Sequence, residues 1–245
     1  LYSFGGAALD GTRFYKALLR IPHDRLWWGV AELAFYYLCM LPVVFFWRPL
    51  SHWRWLLTLL FFLAATNLIY HFTPMFVLVG QLQGSPDATP LTNSELLALY
   101  FSPPVLARVV HHLLAGFAIV PTVLLLRTAA QAHHAGTTAE KDVFDALARR
   151  AGLWILGVTL LEIPSGIWFL FQLPEFAQDR LLGGNVLATS WFAAALLTVI
   201  LLLYKSGAVV MGETARRDAR QVAALLFTVI LMMTGLLAFL LPPHG

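Results

Sequence analysis

Three histidines stand in very apolar stretches. His71 lies in WLLTLLFFLAATNLIYHFTPMFVLVG, and His111-His112 lie in VLARVVHHLLAGFAIVPTVLLL. An imidazole in hydrocarbon is costly and marks a partner, a proton path or a metal. Read as consecutive membrane spans, the two stretches run antiparallel. His71 is about eight residues, or about 12 Å of helix, from the end of its span, while His111 and His112 are about seven and eight residues into theirs. The expectation is that they fall on the same side at matching depth, which suits one metal centre clamped between neighbouring helices.

The donor set is that of a haem b site. Two neutral imidazoles must oppose each other across an apolar slot, with acceptors that orient the rings. His111 and His112 point about 100° apart, so one of them faces the partner helix. Gly116 is four residues after His112 and leaves room for a porphyrin edge, which favours His112 as the ligand opposite His71. Arg108, four residues before His112, is placed to pair with a haem propionate. His111 then donates a hydrogen bond elsewhere or sits at the edge of the site. Asn67 and Thr73 are possible groups behind His71. Pro74 lacks an N–H, so the carbonyl of Tyr70 is expected to be unpaired and the turn widened. Two other readings stand beside haem. Met75, four residues after His71, makes a His, His, Met set that suits copper. Alternatively, the histidines are hydrogen-bonded packing residues with no cofactor.

Two acids also lie inside apolar runs, Glu32 in WWGVAELAFYY and Glu162 in LLEIPSGIWFLF. Each is expensive in lipid unless protonated, paired or facing a cavity. Glu32 reads as an acid hydrogen-bonded across helices. Glu162, with Pro164, Ser165 and Gly166, reads equally as such a group and as a proton-handling or quinol-contacting acid in a kinked, close-packed stretch. His52 and His133-His134 fall at the opposite span ends. His52 is about 28 Å of helix from His71 and reads as a solvated headgroup residue. His23 and His244 read as solvated ends. The single Cys39 lies in an apolar run, and no CxxCH occurs, which excludes covalent haem attachment within the chain and a Cys-rich zinc or iron–sulfur site.

The elements that must position these residues follow from composition. Hydrophobic residues make up 59% of the 245, charged residues 12%, and mean hydropathy is +0.74, against about 25% charged in soluble domains. The apolar runs are continuous over about 20 residues and do not alternate, so the fold class is all-α, a polytopic transmembrane helical bundle rather than a β-barrel. Six spans are expected near residues 27–47, 53–79, 104–126, 147–171, 186–210 and 221–241. Residues 1–26 read as an N-terminal interfacial segment and 27–245 as a single transmembrane domain. A short helix is expected in 10–22, with Thr12 as N-cap, Phe14, Tyr15, Leu18 and Leu19 on one face, and Arg13, Lys16 and Arg20 on the other. In the 80–103 linker, Thr92-Asn93-Ser94-Glu95 is a capping box opening a second short helix. Thr137 and Glu140 open a polar helix that runs into span four. Trp27, Trp28, Trp47, Trp53 and Trp55 crowd span ends as an aromatic belt.

Lys/Arg counting sets orientation. Arg13, Lys16, Arg20, Arg25, Arg108 and Arg180 lie on the N-terminal side, six in all. Arg48, Arg54, Arg127, Lys141, Arg149, Arg150, Lys205, Arg216, Arg217 and Arg220 lie opposite, ten in all. The second side is expected to be cytoplasmic and the histidine site extracytoplasmic, in a bacterial inner membrane. The net charge of +3 carries no nucleic-acid inference. The opening LYSFGG lacks the parts of a signal peptide, and residues upstream of Leu1 are expected.

The placing of His71, His112 or His111, Gly116 and Arg108 on spans two and three resembles the membrane cytochrome b subunits of respiratory oxidoreductases. Many of those subunits carry two haems, with histidines about a dozen residues apart on one helix; this chain has no such second level. The resemblance implies a single haem near the outer face. It implies electron transfer between the quinone pool and a periplasmic partner such as a c-type cytochrome, inside a larger complex. The rivals are a transporter or channel for protons or metal cations, lined by His71, Met75 and Glu162, and a cofactor-free structural subunit.

Overall fold

A computed structural model of the chain describes residues 11–83, 89–132, 134–212 and 216–240. Among these residues the secondary structure is helical, with no strand. In chain order the helices are α1 (Gly11–Leu19), α2 (His23–Phe45), α3 (Trp47–Leu50), α4 (Arg54–Asn67), a π-helical turn (Leu68–Phe72), α5 (Thr73–Leu82), α6 (Asn93–Tyr100), α7 (Pro103–Ala132), α8 (Thr138–Phe171), α9 (Glu175–Asp179), a second π turn (Arg180–Gly184), α10 (Val186–Val210) and α11 (Arg216–Leu240). Among the described residues six stretches are long and apolar enough to cross a membrane: His23–Phe45, Arg54–Leu82, Pro103–Ala132, Thr138–Phe171, Val186–Val210 and Asp218–Leu237. The chain is an all-α polytopic membrane protein, and the expected number of spans stands. Its surface is what lipid requires, with large apolar side chains such as Phe62, Val120, Trp154 and Leu197 exposed along the helices.

The helices group into two compact units that divide within α7, after Val109. In the first, residues 11–109, α2 packs on α4 and on the π turn, and α1 packs on α5. α1 departs from its expected faces. Ala17, Arg20 and Ile21 are buried while Tyr15 and Leu19 are exposed. Arg20 does not sit on a solvated face, because its Nε donates to the carbonyl of Thr89 at 3.0 Å and its own carbonyl accepts from Leu91 at 2.8 Å. A guanidinium with backbone acceptors in reach can be buried where a bare charge cannot. Phe14 meets Phe76 of α5 at 5.9 Å between ring centroids, and Thr12 falls within the bounds of α1. α6 opens with the full capping box, Thr92 Oγ1 accepting from Glu95 N and Glu95 Oε2 accepting from Thr92 N.

In the second unit, residues 110–240, α7, α8, α10 and α11 share one core. Ala118, Leu125 and Ala129 meet Ala148, Ala151, Ile155 and Val158, closed by Leu202, Val209, Val222 and Leu226. Small residues let the helices approach closely, as apolar packing within a bilayer demands. α8 is 34 residues long, about 51 Å at helical rise, so its charged first half extends past a hydrocarbon layer of about 30 Å. Thr137 caps it by accepting from Glu140 N at 3.2 Å. Gly212 ends α10 with φ of +96°, which favours glycine.

Close packing at one glycine sets a testable limit. A Cβ on Gly152 would lie 2.8 Å from Val209 Cγ1, whereas one on Gly157 would meet nothing within 4 Å. Gly152→Val is expected to destabilise the second unit by about 1–3 kcal/mol, read by unfolding in mixed micelles, while Gly157→Ala leaves the midpoint unchanged or raised. Equal effects of the two would show that α8 and α10 are not in tight contact there.

Candidate functional site

The first unit builds its site around a missing donor. Pro74 has no N–H, so a regular helix would leave the carbonyl of Tyr70 without its usual bond. The chain inserts one extra residue, and the Thr73 N–H reaches Leu68 O in a π turn over Leu68–Phe72. The Thr73 hydroxyl donates to the same carbonyl at 3.1 Å. The Tyr70 carbonyl is taken by a side chain from another helix, the hydroxyl of Tyr100 at the end of α6. Burial, with Tyr70 and Glu32 nearby, pushes the Tyr100 phenol above its ordinary range, so it remains a donor. Such π turns are frequent at functional sites.

His71 sits in this turn. Its Nδ1 lies 2.8 Å from Glu32 Oε1 on α2, with the Glu32 side chain largely covered and that of His71 about half exposed. The Asn67 amide donates to the backbone carbonyl of Glu32 and ties the same two helices together. The sequence places Asn67 and Thr73 behind His71; instead both serve backbone carbonyls, and the group on the imidazole is Glu32. The two residues lie at matching depth. Glu32 lies nine residues into α2, and His71 lies eleven residues before the end of α5, on the next, antiparallel span.

Glu32 and His71 line a cavity of about 530 Å³, together with Trp28, Tyr70, Met75 and Tyr100. Its size is within the range of cofactor sites, about 300–1,000 Å³. Met75 shares the cavity with His71, as the four-residue spacing predicts. Arg108 is partly buried near the start of α7 and is not among the lining residues.

The second unit holds a separate cluster. His111 Nδ1 is 3.2 Å from Ser165 Oγ and 3.3 Å from Glu162 Oε2. The Ser165 hydroxyl donates to the carbonyl of Glu162 at 3.0 Å, so it accepts from the imidazole, and the proton belongs on Nδ1. Gly166 lets the ring in, since a Cβ there would lie 3.3 Å from His111 Cε1. Phe169 flanks it at 5.8 Å between centroids. Glu162, Ser165, Gly166 and Phe169 recur at helical spacing, so one face of α8 forms the cradle. Glu162 Oε1 is buried and has no hydrogen-bond partner among the described residues.

His112 and Gly116 are exposed on α7, and the space beside Gly116 is open. His71 belongs to the first unit, and His111 and His112 to the second. His52 and His134 are exposed. His133 and His244 lie outside the described residues. No protein-family model, no curated protein and no solved structure matches this chain.

The Pro74–Tyr100 arrangement predicts a conditional cost. Tyr100→Phe leaves the Tyr70 carbonyl without its donor and is expected to lose about 1–3 kcal/mol of stability. In a Pro74→Ala background, where the restored backbone N–H supplies the bond, the same substitution should cost much less. Equal losses in both backgrounds would mean that Tyr100 acts through packing alone.

Proposed function

We propose that the protein is an integral-membrane electron-transfer subunit of cytochrome b type, which binds haem b and links a quinone pool to a redox partner in a larger complex. One observation carries this reading, the way His71 is presented. Its Nδ1 is engaged by a carboxylate at the wall of a cofactor-sized cavity. A carboxylate on one ring nitrogen fixes the tautomer and leaves the Nε2 lone pair for a metal, the usual arrangement behind a ligating histidine.

The donor set fits haem better than a bare ion. Among the described residues no three His, Cys, Asp or Glu side chains converge, and an ion held by protein alone needs such a set. A haem brings its own ring nitrogens and asks a helix for a single imidazole. When bound, it supplies a one-electron centre. The chain does the rest. Glu32 accepts the Nδ1–H and orients the imidazole, and Trp28, Phe72 and Tyr100 give the cavity aromatic walls. His112, His111, Gly116 and Arg108 enter as the sequence expectation for the second ligand and its surroundings. An extracytoplasmic position for the site follows the Lys/Arg bias. Copper is the second reading, favoured by Met75 beside His71 in the cavity.

A dithionite-reduced minus oxidised spectrum of the detergent-purified protein, with a pyridine haemochrome assay, tests this directly. A b-type α-band at about one haem per chain is expected. His71→Ala should abolish it. A blank spectrum from assembled protein overturns the reading, and stoichiometric copper lost in Met75→Leu would establish the second one.

A further inference from the structure

One face of α2 carries more of the first unit's cavity than Glu32 alone. Arg25, Trp28, Gly29 and Glu32 are spaced by three, four and seven residues, so they stack on a single stripe, and all four line the cavity. The stripe has two polar ends. At one, Glu32 engages His71. At the other, about 10 Å along the helix, stands Arg25, the one Lys or Arg among the lining residues. Between them lies Gly29, where an added Cβ would meet nothing within 4 Å. A position on α2 without a side chain is thus flanked by the Trp28 indole, an imidazole end and a guanidinium end.

The guanidinium is tied to α6 through its inner nitrogen, on a side chain that is about half exposed. Arg25 Nε donates to Asn93 Oδ1 at 3.0 Å, and Asn93, the first residue of α6, lines the same cavity. Asp24 Oδ2 is 3.9 Å from that same Nε, an ion pair beyond hydrogen-bond distance. The two terminal nitrogens of Arg25 make no hydrogen bond among the described residues. A planar fork held by its inner nitrogen presents its outer edge to a carboxylate in bidentate fashion.

We infer that this stripe is a binding surface for a planar, amphipathic ligand with an acidic arm, whose ring lies over Gly29 beside Trp28 and whose carboxylate is held by Arg25. The inference rests on the haem reading, under which the acidic arm is a propionate and Arg25, not Arg108, is its partner. Gly29 takes the role that the sequence gives to Gly116, a position without a side chain beside the ring.

The test titrates the full-length apo-protein in detergent with haemin and with haemin dimethyl ester, following the Soret band. The two ligands share the ring and the iron and differ in the carboxylates. The wild-type chain should bind the free acid about tenfold or more tighter than the ester, as expected for a charge-assisted pair. Arg25→Gln should erase that preference while leaving ester binding unchanged, and Arg25→Lys should restore part of it. Gly29→Leu should weaken both ligands alike. A preference that survives in Arg25→Gln and disappears in Arg108→Gln would overturn the assignment and return the propionate to α7. Undiminished binding in Gly29→Leu would remove the ring from this stripe. If the wild-type chain takes up neither ligand, the electron-transfer reading falls, and this assignment falls with it.

Discussion

Hydrocarbon offers a polar group no water, so every donor and acceptor within a span must find its partner in the protein. The first unit is organised around one place where that rule cannot be met locally, the carbonyl of Tyr70. Pro74 withdraws the donor, the backbone answers with a π turn, and Tyr100 reaches in from α6 to supply the bond. His71 is in that turn, so its placing is a by-product of how the gap is closed. Glu32 then meets the imidazole, and Asn67 braces the same helix pair. Removing the proline would simplify the helix and, at the same stroke, take away the reason for its shape.

The second unit meets the same requirement by different means. The cradle for His111 is drawn from a single helix face, with the Ser165 hydroxyl donating a hydrogen bond to a backbone carbonyl and so turning its lone pair toward the imidazole. A glycine at the closest approach replaces the widened turn of the first unit. Each unit therefore pairs one imidazole with one carboxylate, and in both it is Nδ1 that is engaged. A neutral imidazole hydrogen-bonded to an acid costs less in lipid than two separate polar side chains would, although Glu162 Oε1 keeps no partner among the described residues.

Much of this is legible in the residues. The six spans follow from uninterrupted apolar runs, Val186–Val210 to the residue. The capping box at Thr92 and the loss of the helical donor to the Tyr70 carbonyl follow from local chemistry, whereas the Tyr100 hydroxyl that takes that carbonyl does not. What the residues alone conceal is long-range. A helical wheel gives Arg20 to a polar face, because it cannot see the Thr89 carbonyl some seventy residues away. Nearness in sequence puts Asn67 and Thr73 behind His71, while the group that touches the ring comes from the preceding span. Gly29 is easily passed over, because a glycine in an apolar helix carries no signal until the neighbouring cavity is known. Depth along antiparallel spans pairs Glu32 with His71 by the same count that sets His71 level with His112.

The inserted residue at Leu68–Phe72 also has a consequence for reading this span. A π turn advances the chain by one residue without advancing the helix by a regular step, so the residues beyond it are rotated by about 100° relative to an unbroken α-helix. Arg54–Leu82 is therefore two helical patterns spliced with a phase slip. A position in α4 and one in α5 that an unbroken wheel would align face different ways, and periodicity measured across the join cancels part of itself. The span has two addresses for every direction, one on each side of His71, and the histidine marks where one system of coordinates hands over to the other.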